Sequence, residues 1–322
     1  MKKIKLFVLM AMTVLFAVSC DFKDIEEAGM GRLDINFDFS RVDSVPKAVK
    51  IFFYPVSGNA VDMIKQGYTT MDWTPSNTRI TLPSGVYNIT AFSIDGEHVF
   101  YTGETVRENL RLTTDDYIFG EATRAAKSPL EIVDSIYPGQ NLKFTPNYVV
   151  RANENLFYVD DYQPEQKLTL QADSITTSVR FTIKGVEGLQ FVTDCEGVIG
   201  GLALYGNPTP GGVAVDSTAM GFPMVVKASE KEIKADFQVW GIDPANAVGD
   251  MLHKLTIFFW MDDAKVFVTA DVTEEMRNAK FENGVMLVDI QLDMNVRESV
   301  GGAGGFDIEL DPWEDIEVDV GM

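Results

Sequence analysis

Chemistry in this chain of 322 residues would have to come from very few reactive side chains: two histidines and two cysteines. His98 and His253 fall in different predicted halves, so a Ser-His-Asp triad or a thiol–imidazole pair has no partner close in sequence. Cys195, within Thr193-Asp-Cys-Glu-Gly197, has no neighbouring histidine and reads as a small core residue. No Cys/His cluster has zinc spacing, so no metal site is expected. Neither G-x-x-x-x-G-K-[ST] nor a strand-linked G-x-G-x-x-G occurs, so nucleotide binding has no support. Carboxylates are abundant, which leaves a glycosidase-type pair open on composition alone. Asp115-Asp116, Asp160-Asp161 and Asp262-Asp263 lack the D-x-D-x-D-G calcium loop and read as solvated turns. Trp73, Trp240, Trp260 and Trp313 would suit a sugar-stacking platform, but aromatics on alternating strands belong mostly to cores. No catalytic residue, metal or cofactor is predicted, and the expectation is a non-enzymatic protein.

The remaining reactive group is Cys20, and its position carries more information. Lys2, Lys3 and Lys5 form a positive start, and Leu6 to Val18 is apolar except for Thr13. The run is short for a membrane span and closes on Ala17-Val18-Ser19-Cys20, the layout of a cleavable secretory signal. With a cysteine at the cut site it resembles a bacterial lipoprotein signal, which implies cleavage after residue 19 and lipid on Cys20. Several acyl chains on one residue hold a protein to a membrane stably. Residues 21–31, DFKDIEEAGMG, then read as an acidic tether, resembling the surface-export tag of Bacteroidota lipoproteins.

Removing residues 1–19 takes away three lysines and no acids, leaving 24 basic residues against 48 acidic and a formal charge of −24. Such a surface repels nucleic acid and anionic headgroups, so nucleic-acid binding is excluded as a main task. The 46% apolar content argues against disorder. About 300 residues suggest two domains, each large enough for a core. With Cys20 acylated, Cys195 has no partner and no intrachain disulfide forms.

Period-two alternation dominates the chain beyond the tether. Leu33, Ile35, Phe37 and Phe39 alternate with Arg32, Asp34, Asn36 and Asp38, a strand with one wet face. Residues 48–56 repeat the signal before a turn at Ser57-Gly58-Asn59. Leu82 ends a strand, Pro83-Ser84-Gly85 turns, and Val86 to Ile94 runs out β-rich. His98 to Thr102 is expected to return as its partner after Asp95-Gly96. Tyr117 to Phe119 reads as a strand, and Glu121 to Pro129 as a loop containing Arg124. A boundary is expected at Tyr162-Gln-Pro-Glu165, with Lys167 to Leu170 opening the second half. There, Ser178 to Ile183 alternates, Gly200-Gly201 suits a bulge, and Lys254–Met261 with Lys265–Ala270 suits a hairpin. Thr273 is expected to cap a short helical turn. The predicted fold is therefore all-β. Its order is a signal peptide at 1–19, a lipidated tether at 20–31, and β-sandwich domains at 32–164 and 165–322.

The chain ends with a GGAGG hinge at 301–305 and the run FDIELDPWEDIEVDV. Phe306, Ile308, Leu310, Ile316, Val318 and Val320 alternate with acids, and Pro312 favours an edge position. Together with LPSGVYNITAFSIDG at 82–96 and DVTEEMRNA at 271–279, this run resembles the Bacteroidota fimbrillin-associated anchor lipoproteins. The resemblance implies two tandem transthyretin-like (Greek-key) sandwiches and a lipid-anchored, surface-exposed protein of the cell outer membrane. It also implies other fimbrial subunits as partners, joined by β-strand addition, with 306–320 as the donor or edge strand. An ordinary final strand is the alternative for that segment. A polymerising shaft subunit cleaved after Arg41 is the alternative role within the family. A glycan-binding protein using exposed tryptophans is the alternative outside it, and the sequence names neither a host nor a glycan ligand.

Overall fold

The structure is a computed structural model and describes residues 29–119, 129–163, 165–209, 217–240, 253–262, 265–296 and, for its backbone, 314–317. The signal peptide, Cys20, Arg124, the GGAGG tract, Trp313 and the terminal positions Phe306, Ile308, Leu310, Val318 and Val320 lie outside the described residues.

The alternating segments become strands, as all-β patterning requires. In the first half these are β1 (Met30–Asp38), β2 (Val49–Ser57), β3 (Thr69–Trp73), β4 (Arg79–Pro83) and β5 (Gly85–Ser93). They continue with β6 (Val99–Thr102), β7 (Arg111–Thr114), β8 (Leu142–Phe144), β9 (Val150–Val159) and β10 (Gln166–Ser174). Seven of them form one sheet in the order β3-β2-β5-β9-β10-β1-β4. This sheet folds over on itself, because its two ends meet: the Trp73 indole on β3 donates 2.9 Å to the Ile35 carbonyl on β1. Leu33, Ile35, Ile51, Phe53, Tyr87, Ile89, Leu168 and Leu170 fill the space between the two limbs. Gly85 has no alternative at the mouth of that fold. Its φ is +153°, and a Cβ there would lie 2.4 Å from the Ser57 carbonyl oxygen.

The second half contributes β11 (Thr177–Glu187), β12 (Val192–Ala203), β13 (Ser217–Pro223), β14 (Val225–Lys227) and β15 (Glu232–Val239). After them come β16 (Lys254–Met261), β17 (Lys265–Asp271), β18 (Lys280–Glu282), β19 (Val285–Asn295) and β20 (Glu314–Glu317). A five-stranded sheet, β14-β15-β11-β19-β18, faces a six-stranded one, β20-β17-β16-β12-β13-β8. Phe181, Phe222, Phe237, Ile257, Phe259 and Val268 pack between them, with Phe222 and Phe237 stacked at 4.0 Å. A third layer covers the other face of the six-stranded sheet. Tyr117, Phe119 and the helix Pro129–Ile136 lie over Val198, Phe258, Trp260 and Phe267.

Several expectations need correction. Lys167 to Leu170 does not open the second half: β10 pairs antiparallel with β9 and parallel with β1, inside the first sheet. The polarity at 162–165 marks a reversal between paired strands. β8 crosses the other way and pairs with β13 in the second sandwich. Val99–Thr102 pairs with β7 rather than with β5. Tyr117 to Phe119 is no strand; its rings pack on Phe144 and Phe258 instead. Thr273 is the first helical residue, and its hydroxyl accepts the His253 amide at 2.8 Å. Val272 is the N-cap, and Asp271 just before it accepts the Thr273 amide at 3.0 Å. The Gly200-Gly201 bulge and the β16–β17 hairpin are present as expected.

Candidate functional site

Among the described residues the polar side chains do not assemble a reaction centre. His98 stacks on Phe144 at 4.3 Å and meets the Asp115 carboxylate at 3.1 Å. His253 is buried, its Nδ1 sits 3.2 Å from the Gly200 carbonyl, and burial lowers its pKa. Cys195 is buried, and burial pushes its thiol up, so it is a poor nucleophile. Asp115 and Asp116 diverge, the second pairing with Lys143 at 2.8 Å, and Asp160 accepts the Tyr162 amide within its turn. Among the described residues no group of acids, cysteines or histidines is arranged to hold a metal. Trp73, Trp240 and Trp260 are all buried, which counts against the alternative of a sugar platform at those three positions.

What the fold does set apart is two strands at its margins. β1 is held on both sides, parallel to β10 through Leu33↔Gln166 to Asp38↔Gln171 and antiparallel to β4 through Met30↔Pro83 to Asp34↔Arg79. Its buried face carries Leu33 and Ile35. Phe37 and Phe39 extend that face, stacked at 5.5 Å, with Phe37 edge-on to Trp73 at 4.8 Å. Directly behind it the chain turns: Ser40 donates its amide to Asp38 at 2.9 Å. That bond, more than the Ser40 hydroxyl or Arg41, holds the Asp38 carboxyl below its usual range. Arg41 projects from this turn with 65% of its side chain exposed, 3.7 Å from Asp173. An exposed pair of that kind contributes little. Arg41 is thus accessible immediately after a strand that is locked in the core.

β20 is the opposite case. It lies at the edge of the six-stranded sheet, parallel to β17 through Val266↔Glu314, Phe267↔Asp315, Val268↔Ile316 and Thr269↔Glu317. Eighteen residues separate it from the end of β19, so the strand arrives after a long excursion. β17 itself is anchored by the buried Val266, Val268 and Ala270, and its other side pairs with β16. The edge that β20 covers is therefore a preformed template of backbone donors and acceptors. Of the six terminal apolar positions expected to form an edge strand, Ile316 falls in β20. The sequence signalled the alternation there, but nothing in it signalled which sheet the strand joins.

The described residues thus build a folded-over sheet and a paired sandwich, an all-β architecture. A putative adhesin from Bacteroides ovatus has a similar solved structure, with a TM-score of 0.61, 18% identity and coverage of 87% of this chain and 97% of its own. Putative polysaccharide binding proteins from Bacteroides thetaiotaomicron align at a TM-score of 0.46 and 13% identity over 83% of this chain and 92% of theirs. The fimbrial anchor protein Mfa2 from Porphyromonas gingivalis aligns at 0.43 and 13% identity over 81% and 89%. The first of these likenesses establishes the fold. No curated protein matches the chain. The family model described as domain of unknown function (DUF5119) matches residues 19–205, and the chain belongs to that family.

Proposed function

We propose that this is a lipid-anchored cell-surface protein, held through Cys20, that acts as an anchor or accessory subunit of a fimbria and joins other subunits by β-strand addition. The observation that carries the reading is the β17 edge. A short strand from far along the chain completes it through backbone pairing, so the same edge can accept an equivalent strand from another subunit. Backbone bonds give such a contact its strength, and alternating side chains give it register.

Exposed Arg41 behind the enclosed β1 supports a second reading, a shaft subunit. Cleavage there would free β1 from the chain and leave a slot between β10 and β4 for a donated strand. The buried tryptophans count against the glycan-platform alternative.

Intact-mass spectrometry on protein from its native membrane, with and without surface proteolysis of whole cells, separates the readings. An acylated Cys20, a chain complete to Met322 and loss on proteolysis fit the anchor or accessory role. A lipid-free chain beginning at Val42 fits the shaft role. An acylated chain that external protease never reaches overturns both.

A further inference from the structure

The described chain begins at Gly29, at one end of the first sandwich, and that end has an unusual surface. Ser84 donates its amide to the Gly29 carbonyl at 2.7 Å, and Asn59 beside it bonds the Ser84 hydroxyl at 3.1 Å. A Cβ on Gly31 would touch Val159 and the Asp160 carbonyl, both within 2.7 Å. The short helix Asn59–Met63, the β4–β5 turn and the β9–β10 turn therefore surround the point where the chain enters the fold. Val61, Met63 and Tyr162 lie on these elements, Val56 on β2 and Leu156 and Tyr158 on β9 beside them, and each is between 45% and 90% exposed. Leu156 is turned outward by an irregularity in the β5–β9 pairing, with φ at +57° and its amide bonded to Asn88. A non-glycine residue takes that conformation at a cost.

We propose that this end of the first sandwich docks on the membrane that holds Cys20, with these six side chains seated at the headgroup–acyl boundary. The proposal rests on the lipid-anchor reading. Nine residue steps separate Cys20 from Gly29, so the lipidated cysteine is at most about 30 Å from Gly29 at this end. Tethering at that range makes the encounter intramolecular, so a weak interfacial contact suffices. The side chains have the right chemistry: aliphatic and thioether groups enter the apolar boundary, and tyrosine keeps its hydroxyl among headgroups. Asp62, Asp160 and Asp161 flank the patch, so the surface it suits is zwitterionic, and anionic lipid weakens the contact.

The test uses the full acylated chain in phosphatidylcholine vesicles, with a nitroxide placed by Tyr162→Cys, or by Phe281→Cys on β18 as the distal control. Both positions are largely exposed, so neither substitution removes a core contact, and buried Cys195 stays unlabelled. On reconstitution, the ratio of oxygen to nickel-chelate collision should rise several-fold at 162 and stay unchanged at 281. An unchanged ratio at 162, with mass spectrometry confirming acyl groups on Cys20, overturns docking and leaves the anchor standing. A chain found without acyl groups removes the anchor and the proposal with it. A label at 162 that becomes immobile without gaining oxygen contact points to a protein partner on the patch, which also overturns the proposal.

Discussion

β1 and β20 are both strands that join a sheet by parallel pairing with a distant segment, yet the fold holds them very differently. β1 pairs on both sides and contributes Leu33 and Ile35 to the first core. β20 pairs on one side only, over four residues. Ladder bonds exchanged for water contribute little net stability, whereas burial of aliphatic side chains contributes a great deal. A strand like β1 cannot leave without a covalent cut and a replacement for its side chains. An edge strand like β20 can be exchanged. The contrast motivates the two proposed readings of assembly: cleavage at Arg41 for one, addition at β17 for the other.

The largest expected effect belongs to β1. Ile35→Ala should destabilise the protein by about 2–4 kcal/mol, because the closed first core can collapse only partly around the lost methyls. Urea unfolding would show this as a lowered midpoint at unchanged slope; a loss under 1 kcal/mol would mean that β1 is not locked.

The second effect tests whether the two sandwiches respond alike to acid. His253 lies in the second one, against the Gly200 carbonyl, with Asp271 and Arg277 near. Burial lowers its pKa from 6.5, so the folded protein resists a proton that the unfolded chain accepts. Stability from this residue is fully present above pH 6.5 and is lost as pH falls toward the lowered folded value. The slope is at most about 1.4 kcal/mol per pH unit. His253→Gln should flatten that part of the stability profile, and identical profiles for both proteins would rule the residue out as the cause.

The smallest effect is expected at β20. Truncation after Val296 should leave the midpoint within about 1 kcal/mol of the parent, since the described part of the removed segment is a one-sided four-residue ladder. A cooperative collapse of the fold on truncation would make β20 a core strand and erase the contrast with β1.

Much of this architecture is legible as period-two alternation. β1 and β11 carry it, β16 and β17 are nearly continuous buried runs flanking a turn, and the Gly200-Gly201 bulge is marked by its glycines. Burial of Trp73, Trp240 and Trp260 also follows from aromatics on alternating strands. Pairing partners are not legible, because alternation states which face is wet and not which strand lies alongside. Alternation alone therefore puts β10 in the wrong sandwich and β6 beside the wrong neighbour. Tyr117 and Phe119 mislead for a related reason: aromatics two apart fit a strand equally well as they fit a loop lying across a sheet. The candidate site is half legible. The terminal alternation points to an edge strand, and the template awaiting it on β17 emerges only from the three-dimensional pairing.

Strand addition is tested most directly at the facing pair Val268↔Ile316. Parallel partners in a sheet lie within disulfide range. One chain bearing Val268→Cys and a second, differently tagged chain bearing Ile316→Cys would be produced together in cells and oxidised at the surface. Strand addition predicts a covalent dimer carrying both tags, formed only when both variants are present. Closure within a single chain carrying both substitutions, with no dimer between the two single variants, would contradict it and make β20 the permanent last strand of its own fold.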